Sequence, residues 1–537
     1  MKIIRLLLCL TLLSLANVSH AQRPDNYPPD RTDVVIDRTN LPIVWLEVDH
    51  AMILRDEYIT ARMKIIDNGA GNLNYGDTIA HPGQHIDYNG YIALRYRGNT
   101  SFSQSDKKPY SIRPLDKPLE EGGTKKKVKL LGMGKDNKWA LLAPYSDKSM
   151  MRDLLAFEIS RPWMDYTPQG RYCEVYLDGI YYGVYILSEV VSKGKQRLNL
   201  DDPGTADDAL TSGYLLEADQ NEGFTIQSRY LPVSSTGEQL PCYVHYQYDT
   251  PDYEDMVMVQ IQYIRARVSE MEDVMASWYY RDPVRGYRNY IDVESFADFQ
   301  LSMELSHNVD GYRKSSKFFK RRDSEDPRFK MAIWDFNIAF GNCWKYENYK
   351  TDTWIYQTND ILYQNGETVL IPFWWYRLNN DPYYQRMIKD RWFQYRRNNV
   401  SYERLAAKLD SMAEVLTIYD AEHRNSQAWP RWGVRVWPNY YVASDLRDEI
   451  HYLKNWIKDR LDWMDEQLEY YSRHPRGDAD GDENVNISDA TVILDYLLTG
   501  NSDGVDLTAG DCNLDGNCDI QDVMLLIDYA LNGTWHY

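Results

Sequence analysis

DADGDENVNISDATVILDYLLTG (478–500) aligns without a gap to DCNLDGNCDIQDVMLLIDYALNG (511–533), and this internal repeat divides the chain into two different objects. Each copy opens with oxygen-bearing side chains at loop positions 1, 3, 5, 7, 9 and 12. These are Asp478, Asp480, Asp482, Asn484, Asn486 and Asp489, then Asp511, Asn513, Asp515, Asn517, Asp519 and Asp522. A tight loop turns alternate residues inward, and a hard cation such as calcium takes six to eight oxygens, so the pattern predicts two calcium loops at 478–489 and 511–522. An apolar helix is expected after each loop (Ile493, Leu494, Leu497, Leu498; Leu525, Leu526, Ala530, Leu531), stopped at Gly500 and Gly533.

Charge draws the same boundary. The 537 residues contain 80 acidic and 60 basic side chains, and from Asp478 onward there are thirteen acids and no Lys or Arg, leaving 67 acids against 60 bases before it. A near-neutral body therefore carries a small acidic tail. The overall charge of −20 argues against a general nucleic-acid binder. Composition is 43% apolar with 44 Tyr and 16 Trp, which calls for a large packed core and excludes a disordered chain.

The paired loop–helix units resemble a type I dockerin, a small all-α domain with two EF-hand-like loops. Asp at position 12 replaces the Glu of an EF-hand, and Glu483 stands at position 6 where Gly is usual. The resemblance covers about 56 residues and implies folding on calcium and docking to a cohesin domain of a scaffold protein, through helix faces near Ser488 and Gln521.

At the other end, residues 1–21 read as a secretory signal: Lys2 and Arg5, an apolar run Leu6–Leu15, and a small-x-small site at Ser19-His20-Ala21. The run is too short to span a bilayer and no later stretch is long enough, so a secreted or cell-surface protein is expected, with no transmembrane segment. The expected division is 1–21 signal, 22–474 body and 475–537 tail. Five cysteines remain in the mature chain, too few and of odd number for a disulfide framework. Cys512 and Cys518 are either a bridge or two thiols.

The body reads as α+β. Strands are expected at Ile43–Val48, Tyr91–Tyr96, Tyr110–Arg113, Cys173–Leu177 and Gly183–Leu187, with turns at Asn89-Gly90, Arg97-Gly98-Asn99 and Asp178-Gly179. A helix is expected over Met150–Ile159. A long amphipathic helix follows from the apolar stripe Leu446, Ile450, Leu453, Ile457, Leu461, Met464, Leu468. No HExxH, G-x-S-x-G or Walker loop occurs, and Pro82 and Gly83 deny His81 and His85 a shared helix face.

Seven stretches stand in order: RYRGNTS (95–101), KKPYSIRP (107–114), LLGMGKDNKWALLAPYSDKSMMRDLLAFEIS (130–160), YLDGIYYGVYILSEVV (176–191), NVDGYRKSSKFFKRRD (308–323), AIWDFNIAFGN (332–342) and PFWWYRL (372–378). Together they resemble the CotH kinase family over roughly residues 40 to 470. That resemblance implies an atypical protein-kinase-like body and transfer of phosphate from ATP, with Mg²⁺ or Mn²⁺, to Ser or Thr of a protein acceptor. Phosphoryl transfer needs a cation on the phosphates, a metal-holding carboxylate and a carboxylate to take the hydroxyl proton. The resemblance assigns Lys108 (Lys107 as the fallback) to the phosphates, Glu158 to positioning that lysine, and Glu189 to the edge of the adenine pocket. Asp310 is the implied catalytic aspartate and Asp335 the metal aspartate. Ser315 stands five residues after Asp310 where kinases place Asn, and Asn337 stands where many CotH-like sequences place a second Asp.

Two other functions compete. A kinase-like fold could serve as a non-catalytic binding or structural module of an extracellular complex. Dockerin company and abundant Trp and Tyr suggest a polysaccharide-active enzyme, although no carboxylate pair in the sequence stands out as a glycosidase dyad.

Overall fold

The computed structural model of the chain describes residues 26–470 and 474–535. The secretory signal expected at 1–21 lies outside the described residues. Two compact units form, each discontinuous in sequence. Of the described residues, one comprises those up to Tyr145 with Arg171–Ser188 and Val415–Pro430; the other comprises Ser146–Gly170, Glu189–Glu414 and those from Arg431 onward.

The first unit is built on a closed barrel. Its strands are β1 (Ile43–Glu47), β2 (Ile59–Ile66), β3 (Ile86–Tyr96), β4 (Tyr110–Pro114), β5 (Trp139–Leu142), β6 (Gly170–Leu177) and β7 (Ile180–Glu189), in the order β1-β2-β3-β4-β5-β7-β6. Closure comes from β1, which pairs antiparallel with β2 and parallel with β6. Alternate residues of β3 and β4 (Ile92, Leu94, Tyr96; Tyr110, Ile112) are buried inside it. Asn89-Gly90 is not a turn: both residues lie inside β3, paired with Lys64 and Met63 of β2. A partner strand that continues past them overrides the local hairpin signal. Asp178-Gly179 does turn, with φ of 46° and 81° at the two residues, the geometry a two-residue hairpin loop requires.

The second unit holds an antiparallel sheet and most of the helices. Its strands β8 (Tyr214–Asp219), β9 (Thr225–Gln227), β10 (His245–Thr250), β11 (Ser316–Lys320) and β12 (Phe329–Ala332) lie in the order β9-β10-β8-β11-β12. Its main helices are α1 (Arg152–Ser160), α2 (Met258–Ala276), α3 (Val293–Ser306), α4 (Phe373–Asn379), α5 (Pro382–Asn398), α6 (Leu446–Gln467), α7 (Ile487–Thr499) and α8 (Ile520–Asn532). All seven residues of the predicted stripe are buried, six on α6 and Leu468 just past its end, and Asp445 caps the first turn of α6 by accepting the Asp448 N–H at 2.9 Å. The architecture is α+β, with a strand-rich N-terminal part and a helical C-terminal part.

Several buried charges hold this unit together. Arg152, fully buried at the start of α1, donates to Asp147 (2.6 Å), to Glu449 of α6 (2.8 Å) and to the Ala339 carbonyl (3.1 Å). Its two carboxylate partners raise its affinity for its proton against the opposing cost of burial. On α3, Glu304 accepts hydrogen bonds from Tyr312 (2.7 Å) and from the Ile355 and Tyr356 N–H groups, and pairs with Arg460 of α6 (3.3 Å). Removing one member of such a network leaves a buried charge without its partner. Arg152→Ala should therefore lower the unfolding free energy of the chain by about 3–5 kcal/mol. Chemical denaturation monitored by near-UV dichroism measures this, and a loss near zero would show that Asp147 and Glu449 find other partners.

Candidate functional site

Helix α3 ends at His307, whose φ of 46° turns the chain sharply into Asn308-Val309-Asp310. The chain then enters β11, reverses and leaves along β12 toward Asp335. Antiparallel pairing of Lys317 with Ala332 sets the start of β11 beside the end of β12, so the loops carrying Asp310 and Asp335 lie side by side. Asn308 joins them. Its Oδ1 accepts the Asp310 N–H (3.3 Å) while its Nδ2 donates to the Asp335 carbonyl (2.9 Å).

Asp335 is exposed between two buried aromatic residues, Trp334 and Phe336, and has a φ of 64°. A non-glycine residue holds that conformation only when its surroundings fix it. Here Asn308 grips its carbonyl, and Asp153 of α1 accepts the next N–H, that of Phe336, at 2.7 Å. Asp310 is a third exposed and paired with Arg313 at 2.6 Å, with Lys314 at 3.9 Å. Glu367 shares both cations, at 3.2 Å from Arg313 and 3.5 Å from Lys314. Ser315, with a φ of 52°, gives its N–H to Asp219 at 3.3 Å. Asn337 is half-buried, and its carbonyl accepts from Asn342 at 2.7 Å. His307 is no acid–base group at neutral pH, because burial and the charge of Arg460 push its pKa down to about 3.

Sequence reading missed Asn308, Asp153 and an acidic group on the sheet. Glu217 and Asp219, two apart on β8, sit on one face of the strand, and Lys317 of β11 bridges Glu217 (2.6 Å) to Asp249 of β10 (2.5 Å). Burial raises the proton affinity of both Glu217 and Asp219; Lys317 opposes this, and the negative charge of Asp310 adds to it at Asp219. The alternation in YLLEAD was the available signal, since two acids at i and i+2 of an otherwise apolar strand must share one face.

The remaining predicted residues occupy varied settings. Glu158 forms an ion pair with Lys408. Glu189 is buried and accepts from the Tyr166 hydroxyl (3.0 Å) and the Gln169 N–H (3.1 Å). In the barrel unit, Lys108 donates to the Phe102 carbonyl, with its ammonium 4.1 Å from the Tyr27 ring centre and 4.7 Å from that of Phe102. Lys107 is fully buried against the Val184 carbonyl and Asn425 Oδ1 (2.9 Å), and burial pushes its pKa down to about 7.

In the tail each repeat copy opens with a loop closed by carboxylate-to-backbone hydrogen bonds. In the first, Asp489 Oδ1 and Oδ2 accept the N–H groups of Asp480 (3.2 Å) and Asn486 (2.8 Å), and Asp478 Oδ2 accepts that of Glu483 (3.0 Å). In the second, Asp522 accepts from Asn513 and Asp519, and Asp511 from Asp515 and Gly516, at 2.7–3.0 Å. Position 6 is left-handed in both, with φ of 68° at Glu483 and 96° at Gly516. Oxygens of Asp478, Asp480 and Asp489 all lie within 4.8 Å of one another. Asp478 Oδ1 is buried and has no hydrogen-bond partner. A carboxylate oxygen stripped of water and left unpaired is costly unless a cation meets it, so the donor set fits a hard divalent ion. Burial also raises the proton affinity of Asp478, Asp489, Asp511 and Asp522. Arg386 and Arg397 of α5 reach the tail, at Asp511 (3.1 Å) and Glu483 (2.7 Å). Cys512 and Cys518 are both thiols.

Residues 94–464 match the family described as CotH kinase protein. The chain belongs to that family. Residues 476–531 match the Dockerin type I domain, whose members bind calcium. A comparison with curated proteins returns no match. The matched segment takes in Asp310, Asp335, Lys108 and the seven ordered stretches, and so both loops that Asn308 joins. Among the described residues, no helix is long and apolar enough to cross a membrane.

Calcium titration of the EDTA-stripped full chain should show two ions bound per chain, and Asp478→Ala or Asp511→Ala should each leave one. Two ions retained by both variants would place the sites elsewhere. A left-handed non-glycine residue costs about 1–2 kcal/mol, so Glu483→Gly should raise the unfolding midpoint of the calcium-loaded tail; an unchanged or lower midpoint would mean that the Arg397 pair outweighs the relief. Lys107 binds its proton less tightly folded than unfolded, where the value is 10.5. The unfolded chain therefore holds more protons above about pH 7, and stability should rise with pH from there toward about 9. Lys107→Met, compared at both pH values by denaturant titration, should flatten that rise.

Proposed function

We propose that the chain is an exported phosphotransferase with a protein-kinase-like fold. In this reading it moves the γ-phosphate of ATP, with Mg²⁺ or Mn²⁺, to a Ser or Thr hydroxyl of a protein acceptor. The observation that carries this is Asn308, which ties together the backbones of the two loops that bear Asp310 and Asp335. Asp310 would accept the hydroxyl proton. Asp335 would hold the metal, with Asn337 and Ser315 as further oxygen ligands; carboxylate, amide and hydroxyl oxygens suit a hard divalent ion. Lys108, or Lys107, would carry the positive charge for the phosphates, and Glu189 would border the adenine. The bound nucleotide and metal supply the transferable phosphoryl group and neutralise its charge.

The tail is proposed as an EF-hand-like docking module, separable from the body near residue 474. It would hold two calcium ions and bind a cohesin on a scaffold. Its two helices expose apolar side chains at equivalent repeat positions, Ile487 with Ile520 and Leu498 with Leu531, which is surface for a protein partner rather than for a core.

A second reading rests on the Arg313–Asp310 pair. A carboxylate already engaged by a guanidinium at 2.6 Å has a structural partner, which suits a non-catalytic binding module. Variants separate the two. Asp310→Ala should cut phosphate transfer by about 10²- to 10⁴-fold with Mg·ATP affinity retained. Asp335→Ala should weaken Mg·ATP binding itself, and Asn337→Asp should tighten metal binding. Transfer of labelled γ-phosphate, to a generic acceptor or to the chain itself, measures the rates. A wild-type chain that binds Mg·ATP but transfers nothing would favour the module, and an Asp310→Ala variant turning over at the wild-type rate would remove Asp310 as the base.

A further inference from the structure

The PFWWYRL stretch forms α4, and two of its rings, Trp374 and Trp375, are core. Phe373 is buried with them, whereas Tyr376 lines a cavity of about 260 Å³ within the helical unit. We propose that this cavity binds a neutral saccharide. The proposal is independent of the phosphotransfer reading, because none of the residues assigned to that chemistry lines the cavity.

The walls are built and fixed. Asn359 donates to the Val233 (2.9 Å) and Ile371 (3.0 Å) carbonyls and accepts the Ile371 N–H (2.8 Å), locking three wall segments together. Asn379 exchanges hydrogen bonds with Gln300 (2.8 and 3.0 Å) and so fixes the end of α4 against α3. The Tyr376 hydroxyl fits only because residue 237 is glycine: a Cβ there would lie 2.6 Å from it, at a φ of 89°.

What remains for a ligand is uncharged and two-faced in hydrogen bonding. Gln385 spends its N–H on the Asn379 carbonyl (2.7 Å), Asn380 on that of Tyr376 (2.7 Å), and Gln357 on the Tyr356 hydroxyl (2.9 Å). Their side-chain carbonyl oxygens and the Tyr376 hydroxyl have no hydrogen-bond partner among the described residues. No Asp, Glu, Lys, Arg or His lines the cavity. Two charged side chains outside the lining bond to the backbone of the wall, Asp360 to the Ser235 N–H (2.8 Å) and Arg281 to the Asn380 carbonyl. A phosphate, carboxylate or ammonium ligand would find no counter-charge there. Alcohol groups both donate and accept, which matches amide oxygens and phenols. The lining is mostly polar, which suits a ligand recognised through its hydroxyl groups. The volume lies just below the range for drug-sized ligands, which suits one ring of a longer chain.

The test uses the full chain with calcium present and two probes, cellobiose and xylobiose, followed by saturation-transfer NMR and by calorimetry. At least one disaccharide should bind saturably, with a dissociation constant on the order of millimolar. Gln385→Ala and Tyr376→Phe should each weaken it by about 3- to 10-fold, and Gly237→Ala should abolish it by moving the Tyr376 hydroxyl. Circular dichroism verifies that each variant is folded. Three outcomes overturn the proposal. Neither disaccharide transfers saturation at about 10 mM; or binding persists unchanged in all three variants; or adenosine binds and neither sugar displaces it, which would make the site a pocket for a flat base.

Discussion

Arg152 is the point on which the helical unit and its aspartates depend. One guanidinium, with no access to water, satisfies Asp147 and Glu449 and holds the Ala339 carbonyl, four residues beyond Asp335. Its neighbour Asp153 holds Phe336. The first turn of α1 is thus a clamp on the segment that follows Asp335, while Asn308 clamps that aspartate from the other side. Low dielectric makes such bonds strong and makes their loss expensive, so a loop with a left-handed aspartate can stay in one conformation.

The tail solves the opposite problem. It brings carboxylates together with no Lys or Arg of its own, and its apolar cluster of Ala479, Ala490, Ile493, Cys512, Val523 and Leu526 is small. Burial raises the proton affinity of the four first- and last-position aspartates, which is the sign of charge held at a cost. In the proposed docking module a divalent ion in each loop would cancel that cost, and its binding free energy would become folding free energy.

Much of this was legible in the sequence, and the exceptions share a cause. Strands β1, β3, β4, β6 and β7 and helices α1, α6, α7 and α8 follow from periodicity, because burial on one face leaves a period in the residues themselves. The paired loop–helix units of the tail were legible because the spacing of the repeat is local. Asn89-Gly90 misled because a hairpin signal is local while strand pairing is not. Asn308, Asp153 and Lys317 escaped notice for the same reason: each acts through a partner 27, 183 or 68–100 residues away. No local pattern records such a distance. Glu158 illustrates the limit from the other side, since its residue type and helix suit a lysine partner, but Lys408 was not one that spacing could name.

The central claim is that the Asp310–Asp335 pair belongs to a nucleotide-handling site. Calorimetric titration of the calcium-saturated full chain with ATP, with and without Mg²⁺, tests it most directly. The account predicts one saturable site that requires Mg²⁺ and is lost in Asn308→Ala, a variant that leaves both carboxylates in the chain but unties their loops. A folded wild-type chain that takes up no ATP in the presence of Mg²⁺ would contradict it.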